Sequence, residues 1–422
     1  MSIVFHPDRY QVRILESRCK AMLLGVRIQN YGLFSDDCIG ALMDDIRKAP
    51  EQSSLALGAG VDLAFPLSSL EALIGRNHSG KSMFFSFLSF VQSTVISGPA
   101  AASVESERSG FTNLLIDKEQ PIKATLCFLF PKTENYPKTY CEYELVLAPN
   151  VHGKPHFEEE TLRLWRKDME APQEILHFKN GVGFVFCQGE KSEGEMNDPQ
   201  TSALRAYGAL KQYHFIGSTY REIGMWFFVR FQKENTQALP DDVAPGGHKH
   251  LNAEGTNARN VLLYMKKEQP ELYSQLIDRL IESIPGLRKK NEEAVLKFFK
   301  KPDILALYLL LLSDPNPRPL LLIESPDEGL YHDMVDALAS EMRNFTISHP
   351  KCQIIFTTHN PYIIENLAPD EIWVFSRGDE DEVGISCAAS SAIVSEMYKQ
   401  GVGMGAIWYA GHFDDMGESG ES

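Results

Sequence analysis

The stretch LEALIGRNHSGKSMFFSF, residues 70–87, decides the fold of this chain. Its first residues are mainly apolar and lead to a glycine, which is typical of a buried strand. From Met83 onward the residues are apolar on nearly every helical face, which predicts a covered helix. Between the two, Gly75 to Ser82 fits the pattern GxxxxGK(S/T) of a loop that cradles phosphate groups.

Phosphate binding requires these residue types at this spacing. Glycines let the loop curl so that backbone N–H groups face the phosphates, and the helix N-terminus adds partial positive charge. Lys81 would supply a full charge to the β and γ phosphates, and Ser82 would supply a hydroxyl to Mg²⁺. The predicted nucleotide-binding residues are Gly75, Arg76, Asn77, His78, Ser79, Gly80, Lys81 and Ser82.

Two later strands end in residues that suit the same site. PLLLIESPDEGLYH (319–332) predicts a buried strand ending in Glu324, and QIIFTTHNP (353–361) predicts a strand leading to His359. Ligands of open α/β sheets bind at the carboxyl ends of the strands, so both side chains are expected there. A carboxylate in that position can hold Mg²⁺, and a histidine can sense a γ-phosphate or polarise water.

The remaining patterns place this site in a larger fold. Residues 121–188 contain short segments rich in β-branched and aromatic residues, which predict an antiparallel sheet inserted between two α/β halves. The polar residues 189–200 are expected to be mobile. Apolar spacing over 261–284 predicts helices, with Pro270 opening the second. Alternating strand and helix patterns after residue 300 predict a parallel sheet.

The composition excludes several classes of protein. Of 422 residues, 43% are hydrophobic and 23% are charged, which excludes a wholly disordered chain. Acidic residues outnumber basic ones by 57 to 41, so the surface as a whole does not favour DNA. The seven cysteines are scattered without a CxxC pair, which argues against a disulfide framework. No leader or membrane-spanning segment is visible, so we expect a cytoplasmic protein without a membrane partner.

These motifs, taken in order, resemble the ATPase heads of the ABC-type group. Within it they are most similar to RecF/SMC-like and OLD-nuclease-like ATPases, including the AAA-family ATPases called AbiEii toxin-like. The resemblance implies an α/β fold: a P-loop NTPase of ABC-ATPase type with an inserted antiparallel β arm and a helical region. It rests on MLLGVRIQNYG (22–32), GRNHSGKS (75–82), LLLIESPDEGLYH (320–332), QIIFTTHNPYII (353–364) and GVGMGAIWYAG (401–411).

The resemblance also implies a division of the chain into four parts. These are an N-terminal part of the ATPase head with the phosphate loop (1–120), an inserted β-rich arm (121–250), a helical region (251–318) and a C-terminal part of the head (319–422).

The resemblance assigns roles to the same residues. Lys81 and Ser82 would bind ATP and Mg²⁺, as the family's phosphate loop does. Glu324 would be the Walker-B acid and a metal ligand, and His359 the switch histidine, so these two are the expected catalytic residues. Family members form head-to-head homodimers that sandwich two ATP molecules. Many act with a separately encoded effector, a nuclease or toxin, in phage defence.

Two positions depart from the family pattern. In the family a catalytic glutamate directly follows the Walker-B acid, whereas here that position is Ser325, and a serine hydroxyl is a poor base. Asp327 and Glu328 are the alternatives for the missing acid. The family also has a Ser-Asp-Gly-Thr-like signature before its long apolar helix. Here that place reads Phe299-Lys300-Lys301-Pro302-Asp303, so the contact with a partner's γ-phosphate is in doubt.

Two functions follow from this combination. The first is a slow ATPase that acts as a nucleotide-gated switch for a separate effector, and the alternative is a regulatory or scaffold subunit that binds ATP without hydrolysing it. A fused nuclease is not expected, because only 63 residues follow His359. Nucleic-acid binding is left open by a basic run, although a solvated helix face is the plainer interpretation. The run consists of Lys289, Lys290, Lys297, Lys300 and Lys301.

Overall fold

The computed structural model describes residues 21–48, 65–105, 108–150, 152–187, 189–231, 249–299, 302–378 and 382–413. The expected absence of a leader concerns residues outside these ranges. Lys300 and Lys301 of the basic run also lie outside them. Among the helices in the described ranges, none combines the length and the apolar character of a membrane span. The six cysteines within these ranges are all free thiols, in agreement with the sequence.

Fourteen strands lie in the described ranges. They are β1 (Met22–Tyr31), β2 (Phe34–Gly40), β3 (Leu70–Gly75), β4 (Ile122–Phe130), β5 (Thr139–Pro149), β6 (Pro155–Trp165), β7 (Gln173–Lys179), β8 (Val182–Cys187), β9 (Glu190–Glu195), β10 (Phe227–Val229), β11 (Leu320–Ile323), β12 (Gln353–Thr357), β13 (Ile372–Arg377) and β14 (Val383–Cys387).

The same ranges contain twelve α-helices. They are α1 (Met43–Lys48), α2 (Lys81–Ser97), α3 (Pro99–Ala102), α4 (Ala203–Gly208), α5 (His214–Gly224), α6 (Ala258–Glu268), α7 (Pro270–Ser283), α8 (Glu292–Phe298), α9 (Ile304–Leu311), α10 (His332–Ser348), α11 (Ala392–Lys399) and α12 (Met404–Tyr409). Four short 3₁₀ helices accompany them: Phe111–Asn113, Pro285–Leu287, Pro369–Glu371 and Ala388–Ser390.

The chain divides into two compact units. The first unit comprises Met1–Leu67 and Met83–Met225, and the second comprises Ser68–Ser82 and Trp226–Ser422. The phosphate-loop sequence therefore belongs to the second unit, while most of α2 belongs to the first. The four-part division expected from the sequence stays a prediction.

The first unit is built on an eight-stranded sheet in the order β2-β1-β4-β5-β6-β7-β8-β9, with every neighbouring pair antiparallel. The antiparallel sheet expected over 121–188 is thus present, and β1 and β2 extend it. Helix α2 packs its aromatic side chains on this unit: the Tyr31 ring lies 5.1 Å from Phe87 and 5.4 Å from Phe90 between ring centroids. These rings are buried, which confirms the covered helix.

The expectation that residues 189–200 are mobile is wrong for the first half of that segment. Glu190–Glu195 forms β9, which pairs with β8 from Val182↔Glu195 to Cys187↔Glu190. The strand lies at the edge of the sheet, where backbone hydrogen bonds to one neighbour suffice and charged side chains face solvent. Hydrophobic alternation therefore could not reveal it.

The second unit is built on a six-stranded sheet in the order β10-β11-β12-β3-β13-β14. The first five strands are parallel, and β14 joins the edge antiparallel to β13. Leu320–Ile323 is buried at every residue, as expected of a strand covered on both faces. Helix α9 is likewise buried at every residue, and Pro270 opens α7 as predicted. The α/β fold with a parallel sheet is confirmed.

Candidate functional site

The candidate site lies at one edge of the six-stranded sheet. Strand β12 lies between β11 and β3, with Ile323 opposite Phe356 and Thr357 opposite Leu73. Because these strands are parallel, their carboxyl ends meet at the same edge. The phosphate-loop sequence after β3, Glu324 after β11 and His359 after β12 are therefore brought together, as the sequence predicted.

The loop after β3 has the tight curl that phosphate binding needs. Gly75 and Gly80 have φ of 137° and 108°, and His78 also adopts the left-handed region with φ 64°. A Cβ atom on Gly75 would lie 2.0 Å from the carbonyl oxygen of Phe375, which is the residue opposite it on β13. Only glycine fits at this position, since both its φ and its contact exclude a side chain.

Lys81 lies inside this loop. Its Nζ donates hydrogen bonds to the carbonyl oxygens of Gly75 at 2.8 Å and Arg76 at 2.7 Å, and to Ser79 Oγ at 3.3 Å. Only 6% of Lys81 is exposed. Burial lowers the pKa of Lys81 to about 8, and the charge of Glu324 opposes that shift. The structure thus holds an ammonium group where the loop would meet a phosphate.

Ser82 and Glu324 form the second part of the site. The Ser82 hydroxyl donates a hydrogen bond to Glu324 Oε1, which joins the start of α2 to the end of β11. Hydroxyl and carboxylate oxygens are the hard ligands that Mg²⁺ prefers. In the described part of the chain no group of three or more His, Cys, Asp or Glu residues could hold a metal. The Ser82 and Glu324 oxygens therefore suit a Mg²⁺ ion whose remaining ligands would come from phosphates and water.

His359 follows β12 and is exposed. Partial burial lowers the pKa of His359, the charge of Lys81 lowers it further, and Asp327 opposes both. The ring therefore lies within electrostatic range of the lysine of the phosphate loop, and the lowered pKa favours its neutral form. A neutral imidazole can accept a hydrogen bond from water or donate one to a phosphate oxygen.

The structure adds a residue that the sequence reasoning missed. Arg377, the last residue of β13, donates from its guanidinium to the carbonyl oxygen of His78 at 3.3 Å. It places a second cation beside the loop. The signal was available, because Arg377 ends a predicted strand in the same way as Glu324, but a single strand-end arginine is usually solvated.

The family model described as "AAA domain, putative AbiEii toxin, Type IV TA system" matches residues 258–365. These 108 of the 422 residues include β11, β12, Glu324 and His359 but not the loop after β3. The match agrees with the AbiEii-like part of the resemblance seen in the sequence. No curated protein matches the chain.

Solved structures of SMC heads are similar to this chain at low identity. An SMC head bound to the C-winged helix domain of ScpA is 11% identical, with a TM-score of 0.43, and the match covers 86% of this chain and 98% of that one. An SMC head domain from Thermotoga maritima is 12% identical, with a TM-score of 0.39, and the match covers 86% of this chain and 98% of that one.

Proposed function

We propose that this chain binds Mg-ATP and hydrolyses it slowly, as a P-loop ATPase of the ABC type. The observation that carries the proposal is the convergence of Lys81, Ser82 and Glu324 at one edge of a parallel sheet. The family match over 258–365 supports an AAA-type ATPase. The choice of ATP among nucleotides rests on the resemblance of the motifs.

Each residue has a distinct task in this proposal. Backbone N–H groups from Gly75 to Ser82 and the ammonium of Lys81 would hold the phosphates. Ser82 and Glu324 would hold Mg²⁺, which when bound neutralises charge on the phosphate oxygens. His359 would approach the γ-phosphate from the end of β12. Arg377 would add positive charge on the side of His78.

Hydrolysis is proposed to be slow because the residue after Glu324 is Ser325. Phosphoryl transfer depends mainly on positioning and electrostatics, so the loss of a water-orienting acid lowers the rate more than the affinity. We therefore propose that the bound nucleotide acts as a switch. The proposed output is a separately encoded effector, a nuclease or toxin, in phage defence, and the proposed active form is a homodimer. Nucleic acid is a further candidate ligand.

A second candidate function is a regulatory subunit that binds ATP and does not hydrolyse it. Ser325 is the observation that favours it, because the side chain directly after the proposed metal ligand cannot act as a base at neutral pH. Both functions share the binding site and differ only in turnover.

Binding and turnover should be measured together. Lys81→Ala should weaken Mg-ATP binding at least about tenfold, because a charge-assisted contact contributes about 1.5 to 3 kcal/mol, and should abolish phosphate release. Lys118→Ala, which removes an exposed lysine from a loop of the first unit, is the matched control. Ser82→Ala replaces Lys81→Ala if the latter does not fold.

The outcomes separate the two functions. Phosphate release that depends on Lys81 supports the ATPase. Binding that depends on Lys81 without any release supports the regulatory subunit. If the wild type binds no Mg-ATP, both proposals are wrong.

A further inference from the structure

We propose that Asp327 supplies the carboxylate that orients the attacking water and accepts its proton, in place of an acid at position 325. This inference rests on the proposed ATPase function. It is drawn from three features that lie together. The chain turns back after β11, the Thr358 hydroxyl after β12 holds Asp327 (the hydroxyl clamp), and Asp327 lies within electrostatic range of His359.

The chain after β11 bends back over the end of β12. Ser325 has φ 44°, in the left-handed region that non-glycine residues seldom adopt. Its N–H donates to Thr357 Oγ1 at 3.0 Å, and the N–H of Glu328 donates to the Ser325 carbonyl oxygen at 3.0 Å. The residues after Pro326 thus stay near the site.

Asp327 is held in place by Thr358. The Thr358 hydroxyl donates to Asp327 Oδ1 at 2.8 Å and accepts from the N–H of Asn360 at 2.9 Å. Thr358 is fully buried, and its own N–H donates to the Leu73 carbonyl oxygen on β3 at 3.2 Å. Asp327 is therefore fixed, through one residue, to the strand that leads into the phosphate loop.

The carboxylate of Asp327 lies within electrostatic range of other residues at this edge. Its charge acts on His359, which lies in turn within range of the Lys81 ammonium. Among the residues that the structure describes, no other residue donates a hydrogen bond to Asp327 Oδ2, so this oxygen can accept one from water. Burial raises the pKa of Asp327, which makes the carboxylate a stronger base.

The neighbouring acid does not have these features. Glu328 is exposed, and its contribution to the turn is its backbone N–H. The structure thus favours Asp327 over Glu328 as the substitute for the missing glutamate.

The reaction step balances without another reactant. The water oxygen forms a bond to the γ-phosphorus, and the bond from that phosphorus to the β,γ-bridging oxygen breaks. ADP leaves with the electron pair, and the water proton passes to Asp327 and then to solvent. His359 would hold the water or a γ-oxygen during this step.

Asp327→Asn is the decisive variant, because asparagine keeps an oxygen for Thr358 and loses only the charge and the basicity. We expect kcat for phosphate release to fall about 100-fold or more, while KM, the affinity for a fluorescent ATP analogue and the unfolding temperature stay close to wild type. Glu328→Gln is the matched control and should keep kcat.

A second pair of variants tests the clamp and serves if Asp327→Asn does not fold. Thr358→Val removes the hydroxyl that holds Asp327 and should lower kcat without a matching change in KM, and Thr358→Ser should restore it. An Asp327→Asn enzyme that retains kcat, while Lys81→Ala abolishes it, overturns the inference and leaves the ATPase intact. A wild type that releases no phosphate above Lys81→Ala overturns both.

Discussion

Two buried glutamates show how differently one residue type can be accommodated. Glu71 on β3 is fully buried, its Oε1 accepts from the Ser68 N–H, and its Oε2 has no hydrogen-bond partner among the described residues. Glu160 on β6 is also buried, but it accepts from Tyr143, Ser202 and the backbone at Ala203 and Leu204. The free energy of burial is therefore offset at Glu160 and left largely uncompensated at Glu71.

The uncompensated burial of Glu71 should make stability depend on pH. Burial raises the pKa of Glu71 to about 8, from a usual value of 4.5. The folded state binds the Glu71 proton more tightly than the unfolded state does. The stability that this proton contributes is therefore fully present below about pH 4.5 and is lost as pH rises through about 8. The loss of unfolding free energy can reach a few kcal/mol, because each unit of difference between the folded and unfolded pKa corresponds to about 1.4 kcal/mol.

Glu71→Gln should remove this part of the pH dependence. The urea midpoints of unfolding should be measured for variant and wild type at pH 5 and pH 8.5. Relative to wild type, the midpoint of the variant should be higher at pH 8.5 than at pH 5. Glu160→Gln should instead lower the unfolding midpoint at both pH values, because it disturbs four hydrogen bonds. Parallel pH profiles for Glu71→Gln and wild type would contradict the prediction.

The site residues divide into those that sequence could predict and those that it could not. Gly75 to Ser82, Glu324 and His359 follow from a motif and from strand ends, and the structure places them at one sheet edge. Their roles in binding and catalysis stay predictions. The position of Asp327 depends on the left-handed φ of Ser325 and on a hydroxyl from another strand, and neither leaves a pattern in the sequence.

At the scale of elements, α9 begins directly after the place where the family signature was expected, whose last residue is Asp303. The helix is buried throughout, and Asp303 caps it, accepting from the Ala306 N–H at 2.9 Å. A capping side chain has already committed its oxygen to the helix. Asp303 therefore has a structural task that the sequence comparison did not reveal, and the degenerate signature stays a prediction.

Loss of this cap should destabilise the second unit. Asp303→Ala leaves the N-terminal N–H groups of α9 without a side-chain acceptor and should lower the free energy of unfolding by about 1 kcal/mol. Asp303→Asn keeps the acceptor and should cost much less, as urea unfolding can show. Equal losses in both variants would mean that charge at this partly buried position, and not the cap, matters.

The sequence predicted the elements with strong hydrophobic patterns and missed the edges of the sheets. Strands β3, β11, β12 and β13 are apolar and were predicted, because they are covered on both faces. The three-residue strand β10 and the mixed strand β14 lie at the two edges of their sheet and have little pattern. The order that places β12 between β11 and β3 depends on tertiary packing.

For the whole molecule, Mg-ATP should act as a stabilising ligand. A ligand at about 100 times its dissociation constant adds about 2.7 kcal/mol, which corresponds to a rise of about 5 to 10 °C in the unfolding temperature of a unit of this size. Glu324→Gln should lose the part of this rise that depends on Mg²⁺, and Glu328→Gln should keep it. A rise in Glu324→Gln that equals wild type, with and without EDTA, would remove Glu324 from the metal site.

The pairing of β3 has a consequence for how the protein is made. Leu70 pairs with Ile354, which lies 284 residues later, and Ala72 pairs with Ile372 on the other side. During synthesis β3 therefore leaves the ribosome long before either of its partners exists. Its apolar side chains, and those of α2 beside it in sequence, must be kept from aggregating while most of the chain is still being translated. Such long-range pairing is slow, so we expect the nascent chain to bind chaperones. The phosphate loop can take its shape only near the end of translation, when both partners of β3 have been made.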